Sequence, residues 1–338
     1  MVAHPDARRK DDLEQIARRA MQKYGFLTDF SADALRELET VQQVEREAES
    51  PGIDLRHLLW VSIDNDDSLD LDQLTVAEVL TATQVKVLVA VADVAALVKK
   101  NSAIDAHARQ NTTSVYTAGR IFPMLPEKLS TDLTSLNYHE DRPAMIIEMV
   151  IGDGGVMQDS NIYRARVHNQ AKLAYNSVAA WLEGKGPMPE AVAAVPGLAD
   201  NLRLQDRVAQ RLKALRHEHG ALDLQTLEAR PVFAGDKIQD LQADERNRAK
   251  EIIEDFMIAA NGVTARFLHG KKVASLRRMV RSPKRWERIV EIATQHNFKL
   301  PAQPDSKSLE GFLAAQKAAD PLRFPDLSLA VIKLLGPG

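Results

Sequence analysis

Five aspartates, Asp64, Asp66, Asp67, Asp70 and Asp72, fall within nine residues directly after the apolar run LLWVSI. Carboxylates this close repel one another and raise each other's pKa. A chain can carry them together only by spreading them into solvent or by neutralising them with cations. If residues 69 to 74 are extended, side-chain alternation puts Asp70 and Asp72 on one face and Leu69, Leu71 and Gln73 on the other. Two carboxylates aimed at one spot are hard oxygen donors suited to Mg²⁺ or Mn²⁺. Such an ion could join the pair to a phosphate and polarise it for attack by bound water.

The residues alone leave other readings open. An acidic turn after a strand is also what a solvated loop looks like. An EF-hand calcium loop needs Gly at its sixth position and Glu at its twelfth, whereas counting from Asp64 finds Leu69 and Thr75. An aspartate-nucleophile phosphatase would place Asp-x-Asp after an unbroken apolar strand. Asp70-Leu71-Asp72 supplies that triplet, but Asp66-Asp67-Ser68-Leu69 makes a poor strand before it.

The 338-residue chain has no cysteine, which excludes disulfides, thiolate zinc sites and cysteine nucleophiles and fits a reducing cytoplasm. Metal donors must then be oxygen or imidazole. Hydrophobic residues at 45% and charged residues at 27% are ordinary for a folded soluble protein. No run of about 18 apolar residues suggests a membrane span, and no apolar export signal follows the N-terminal charges. A formal net charge of −3 requires that any nucleic-acid site be local. The one dense basic run, HGKKVASLRRMVRSPKRWER, contains Arg277, Arg278 and Arg281 and reads either as a phosphate-binding patch or as a solvated helix face.

Along the chain, helical spacing of apolar residues marks 11 to 22 and 32 to 49, with Ser31 as N-cap of the second. After Pro51-Gly52 the pattern changes to short apolar runs, LLWVSI and VKVLVAVADVAAL, which read as strands. MIIEMVIGDGGVMQDSNIYRARV reads as two strands joined by a turn at Asp153-Gly154-Gly155, and Lys185 to Pro189 as a surface loop. Helical periodicity returns at 171 to 183, 197 to 216 and 244 to 268. In the last segment Ile252, Ile253, Phe256, Met257 and Ala260 form one apolar face. Strands and helices are therefore mixed without regular alternation.

IDNDDSLDLDQ is similar to the signature of the ribonuclease II/ribonuclease R (RNB) family of 3′→5′ exoribonucleases, with Asp64, Asp70 and Asp72 on its first three acidic positions and Gln73 where a typical member has Asp. The resemblance continues collinearly through VAVADVAALVKKNSAIDAHARQNTTSVY, where Ala90 stands in place of a common His, and through the Pro123-Met-Leu-Pro126 loop. It then covers Lys172-Leu-Ala-Tyr175 and Ile252-Ile-Glu254-Asp255-Phe-Met-Ile-Ala-Ala-Asn261. It implies an α+β protein: a mixed-sheet RNB core flanked by helices over 54–338, after a short helical unit at 1–50. That unit stands where the family usually carries cold-shock barrels. The family continues past the last residues here into an arginine-rich motif and a β-barrel, so the catalytic domain is expected to be C-terminally incomplete.

The resemblance further implies a metal-dependent exoribonuclease acting on single-stranded RNA and releasing nucleoside 5′-monophosphates. Asp64, Asp70 and Asp72 are the implied Mg²⁺ (or Mn²⁺) ligands, with Gln73 in the fourth position and Asp67 as a compensating donor. Asp72 is the carboxylate expected to be indispensable. Tyr116 is expected to stack on an RNA base, Tyr175 to line the catalytic end of the channel, the acidic pair Glu254-Asp255 to help hold the terminal nucleotide, and Asn261 to contact RNA from the same helix. Seven residues apart, Glu254 and Asn261 share the helical face opposite the apolar stripe. Arg277, Arg278 and Arg281 would meet phosphates. The rival functional classes are a non-catalytic RNA-binding relative and the phosphatase. RNA is the expected partner, and no membrane is.

Overall fold

The apolar runs become neighbouring strands because each has two faces to bury. The computed structural model describes residues 10–45, 53–226, 229–235, 237–243, 246–277, 279–280 and 282–336. Its centre is a seven-stranded sheet in the order β1-β8-β7-β4-β3-β2-β9, formed by β1 (Ile53–Asp54), β2 (Val61–Asp64), β3 (Gln73–Val79), β4 (Val85–Ala92), β7 (Asp141–Ile151), β8 (Met157–His168) and β9 (Ala171–Ala174). The short hairpin β5 (Val115–Tyr116) and β6 (Ile121–Phe122) and the longer one of β10 (Ala229–Ala234) and β11 (Lys237–Ala243) pair separately. Most neighbours in the central sheet are antiparallel, but β2 and β9, like β1 and β8, are parallel. Sheet and helices together make an α+β fold, as the resemblance implies.

One sheet face is covered by α6 (Leu198–Glu218) and α7 (Arg248–Gly270). Val87, Val89 and Met149 meet Val208, Ile252 and Phe256 there. Further along, Val61, Ile63 and Leu173 pack with α4 (Tyr175–Leu182), α5 (Glu190–Ala193) and Ile253. The opposite face buries Leu74, Val76, Leu88 and Ile146 against Trp60 and Leu136. Burial on both faces explains why β3 and β4 read as nearly continuous apolar runs rather than alternating ones. α3 (Ala103–Asn111) leads into the β5–β6 hairpin, and α8 (Trp286–Gln295), α9 (Ser306–Ala319) and α10 (Phe324–Leu335) share a separate apolar cluster built on Phe312 and Phe324.

The N-terminal helices form as their periodicity predicts, α1 at Lys10–Lys23 and α2 at Ala32–Glu45. The hydroxyl of Ser31 accepts from Ala34 N–H at 3.2 Å, which is the expected cap. The β7–β8 hairpin also stands where it was expected, and its turn uses Gly154 and Gly155 at φ of 72° and 83°.

Two expectations are corrected. Residues 171 to 183 are not one helix: 171–174 form β9, drawn into the sheet by parallel pairing with β2, and only then does α4 begin. Nor do the described residues in the middle of the basic run form a helix face. Residues 273–277 follow the end of α7 without regular structure, and Leu276 is fully exposed. Among the described residues, no helix is long and apolar enough to cross a membrane.

Candidate active site

β2 and β3 are antiparallel, with Val61 opposite Thr75. Asp64 ends β2 and Asp72 immediately precedes β3, so the two lie at the same end of the sheet, and the charge of Asp64 acts on Asp72. Alternation decides which way these side chains face. Val61 and Ile63 lie on the helix-covered side, as do Thr75 and Ala77, so Asp64, the last residue of β2, falls on the opposite side. Gln73 falls on the helix side with Thr75 by strand alternation and is buried.

The loop from Asn65 to Asp72 is irregular and held from three directions. Ser135 Oγ accepts from Leu71 N–H at 3.0 Å and donates to the Leu69 carbonyl at 3.1 Å, while Leu136 N–H donates to the Leu71 carbonyl at 2.8 Å. Lys172 Nζ, from β9, donates to the Ser68 carbonyl at 2.6 Å. At the loop's end, Ala92 N–H donates to the Asp72 carbonyl at 3.0 Å. Ser135 and Leu136 carry no sequence signal, because they meet the loop only through the fold.

The aspartates interact electrostatically. Asp72 is exposed, yet enough protein lies around its carboxyl to desolvate it in part. That desolvation, followed by the charges of Asp64 and Asp70, pushes its pKa up to about 6. The Tyr116 hydroxyl donates to Asp70 Oδ2 at 3.2 Å. Partial burial and then the negative charges of Asp70, Asp72 and Asp64 raise the tyrosine's own pKa. Tyr116 is 65% exposed, so it is an available ring rather than a core residue.

Hard carboxylate donors under mutual repulsion are the donor chemistry that Mg²⁺ or Mn²⁺ satisfies. Among the described residues, no trio of acidic or imidazole side chains is already drawn close enough to hold an ion. Donor type and shared field therefore fit the metal, while closure of the ligand set is not built into this arrangement. The acidic loop also removes the basis of the phosphatase reading: β2 ends at Asp64, and no strand leads into Asp70-Leu71-Asp72.

Tyr175 follows Ala174, the residue paired with Asp64, so strand pairing brings it to the same end of the sheet. It is half-buried, and Lys250 Nζ of α7 lies 5.9 Å from its ring centroid. Asn247, the N-cap of α7, donates from Nδ2 to Asn176 Oδ1 at 3.1 Å and ties the two helices together. Glu254 lies one turn beyond Lys250 and is exposed, as is Asn261 about 10 Å further along the helix. Asp255, beside Glu254, points inward. It is buried and paired with Arg216, and its pKa is raised by burial more than the nearby guanidinium lowers it. Arg277 is exposed and donates to the Ala265 carbonyl at 3.1 Å, away from the aspartates along the chain, while Arg278 and Arg281 lie outside the described residues.

Glu254 belongs to a second ionic group. Arg246 reaches Glu254 at 2.6 Å and Asp223 at 2.5 Å, and Lys317 of α9 reaches Asp223 at 2.7 Å. Burial pushes the Asp223 carboxyl up, but Lys317 and Arg246 outweigh it and hold the pKa below its ordinary value. A depressed carboxylate contributes stability above its unfolded pKa and loses it as pH falls through the folded one. Replacing Asp223 with Asn is expected to cost about 1–3 kcal/mol at pH 7. In thermal melts from pH 7 to pH 3 the gap between native and variant should close towards the acid end. A gap independent of pH would contradict the pairing.

Residues 53–338 match the RNB domain, and the chain belongs to that family. It is 35% identical over 243 residues to ribonuclease R of Vibrio parahaemolyticus, covering 72% of this chain and 29% of that protein. It is 33% identical over 275 residues to exoribonuclease 2 of Cronobacter sakazakii, covering 79% and 42% respectively. The chain thus spans less than half the length of either relative. Mycoplasma genitalium RNase R, solved in complex with ribose-methylated single-stranded RNA, superimposes with a TM-score of 0.81 at 24% identity over 96% of this chain and 51% of that one. Yeast Ssd1, described as a pseudonuclease, gives 0.65 at 11% identity over 92% and 36%. These likenesses establish the shared fold.

Proposed function

We propose that the protein is a metal-dependent 3′→5′ exoribonuclease that hydrolyses single-stranded RNA to nucleoside 5′-monophosphates in the cytoplasm. The observation that carries this reading is the common field of Asp64, Asp70 and Asp72 at one sheet end, with the Tyr116 hydroxyl on Asp70. Asp64, Asp70 and Asp72 would hold Mg²⁺ or Mn²⁺, with Asp67 on the same loop as a further oxygen donor. The bound ion supplies Lewis-acid activation of water and neutralises charge at the scissile phosphate. Membership of the RNB family, which includes ribonuclease R and exoribonuclease 2 relatives, supports RNA as the substrate class.

The chain's own side chains seat the RNA. The exposed Tyr116 ring offers a face to a base. Tyr175 flanks Asp64, while Glu254 and Asn261 present polar groups from α7 to the terminal nucleotide. Glu254 must exchange its bond with Arg246 for one to RNA. Arg277, with Arg278 and Arg281, would meet phosphates. Loss of one base stack costs about 1–3 kcal/mol, so Tyr116→Ala should weaken single-stranded RNA binding by roughly tenfold. Fluorescence anisotropy in an Asp72→Asn background reads this without turnover, and unchanged affinity would remove Tyr116 from the RNA path.

The second reading is a non-catalytic RNA-binding protein. It is favoured by Gln73 facing the helices and by the open arrangement of the carboxylates. Incubating the protein with 3′-overhang RNA and Mg²⁺ or Mn²⁺ decides between the two. Release of mononucleotides supports the exoribonuclease, and binding without release supports the alternative.

A further inference from the structure

Residues 10–45 precede the segment that matches the family, yet they are built into the site. Ala34 and Val41 of α2 pack with Ile104, Leu125, Leu129 and Leu133, and Glu37 accepts from Ile104 N–H at 3.0 Å. In the connector between the helices, Leu27 exchanges two hydrogen bonds with the Asn111 side chain, at 2.8 and 3.0 Å.

α1 reaches further, onto the turn between β5 and β6. Arg120 of that turn meets Glu14 at 3.0 Å and Asp29 at 3.5 Å, and Arg18 meets the same two carboxylates at 3.3 and 2.6 Å. Two cations and two anions thus alternate across the contact. Gly119 lies so close to α1 that a Cβ there would stand 2.5 Å from the Glu14 backbone nitrogen and 2.9 Å from the Leu13 carbonyl carbon. The contact admits only glycine. Each strand of the hairpin is two residues long, too short to hold its own geometry. On β5, paired directly with Ile121, stands Tyr116, with its hydroxyl on Asp70.

We infer that α1 is the positioning element of this hairpin: Glu14, Arg120 and Gly119 fix where Tyr116 stands over Asp70, and so set how the 3′ end of single-stranded RNA is seated. The inference rests on reading Tyr116 as an RNA contact. It assigns a role in substrate positioning to a helical unit outside the family segment and makes Glu14 and Arg120 positioning residues that do not touch RNA themselves.

The test compares Gly119→Ala, Arg120→Ala and Arg120→Lys with the native protein, each also in a Tyr116→Ala background. Hydrogen exchange over residues 115–122 should accelerate in Gly119→Ala and Arg120→Ala while the central sheet stays protected, and Arg120→Lys should recover part of the protection. On single-stranded RNA the same two variants should raise KM roughly tenfold with kcat within about twofold. That rise should vanish when Tyr116 is already Ala, because coupled residues are non-additive. Unchanged exchange in both variants overturns the inference. So does a KM effect that persists undiminished without the tyrosine, or faster exchange with KM unaltered. If Tyr116→Ala itself leaves RNA binding unchanged, the seating role falls with the reading of that tyrosine. Exchange, which needs no RNA, shows whether the α1 contact failed as well.

Discussion

Asp72→Asn is expected to reduce release of mononucleotides from 3′-overhang RNA by at least about a thousandfold while the protein stays folded, since metal ligation and charge stabilisation at a phosphate are each worth several kcal/mol. The reason lies in the site's electrostatics. Asp72 shares the field of Asp64 and Asp70 at the same end of the sheet and is the carboxylate whose pKa is pushed up to about 6. Without metal, its ionised form is held against repulsion. A carboxylate whose folded pKa exceeds its unfolded one weakens the fold at pH 7, and this penalty fades as pH falls through about 6. Asp72→Asn removes it, so in chelator-treated protein at pH 7 the variant should be as stable as the native chain or more so. After allowance for solvent screening the gain is about 1 kcal/mol at most. Activity lost with stability kept or raised identifies a functional carboxylate. Activity retained would refute the assignment, and joint loss of activity and fold would make Asp72 structural.

Phe256→Ala should lower unfolding free energy by about 3–5 kcal/mol, the usual range for deleting a fully buried aromatic. Phe256 has no solvent exposure and packs between α6, α7 and the strands carrying Val87 and Met149. Its helix also carries Glu254, Asn261 and the Lys250 that lies over Tyr175, so loosening it should disturb one wall of the site. Phe267→Ala, on the same helix but 39% exposed, is the control and should stay within about 1 kcal/mol. Chemical denaturation of both variants measures the contrast. Equal costs would mean that α7 is not anchored through its apolar stripe.

That stripe was legible because helical period and burial coincide: Ile252, Ile253, Phe256 and Ala260 are buried, and Glu254 and Asn261 lie exposed across from them. The hairpin at Gly154-Gly155 and the Ser31 cap were legible for the same reason, since each signal acts within a few residues. β9 was not. Ala171-Lys172-Leu173-Ala174 suits either a strand or a helical turn, and what selects the strand is a row of hydrogen-bonding groups on β2, over a hundred residues earlier. The resemblance likewise treated Glu254 and Asp255 as a pair, whereas the docked helix sends one to solvent and the other against Arg216.

By itself the sequence determined that a dense negative charge follows an apolar strand, that no thiol can answer it, and where apolar stripes demand burial. These are properties of charge density and short-range periodicity, which survive in any conformation. Only the tertiary structure decided that Asp64 and Asp72 share one field while Gln73 turns to the helices, that Ser135 and Lys172 hold the acidic loop, and that α1 bears on the turn beyond Tyr116. Each of those depends on strand register or on contact between distant segments. Such distances are set by how the elements dock, and no local pattern encodes them.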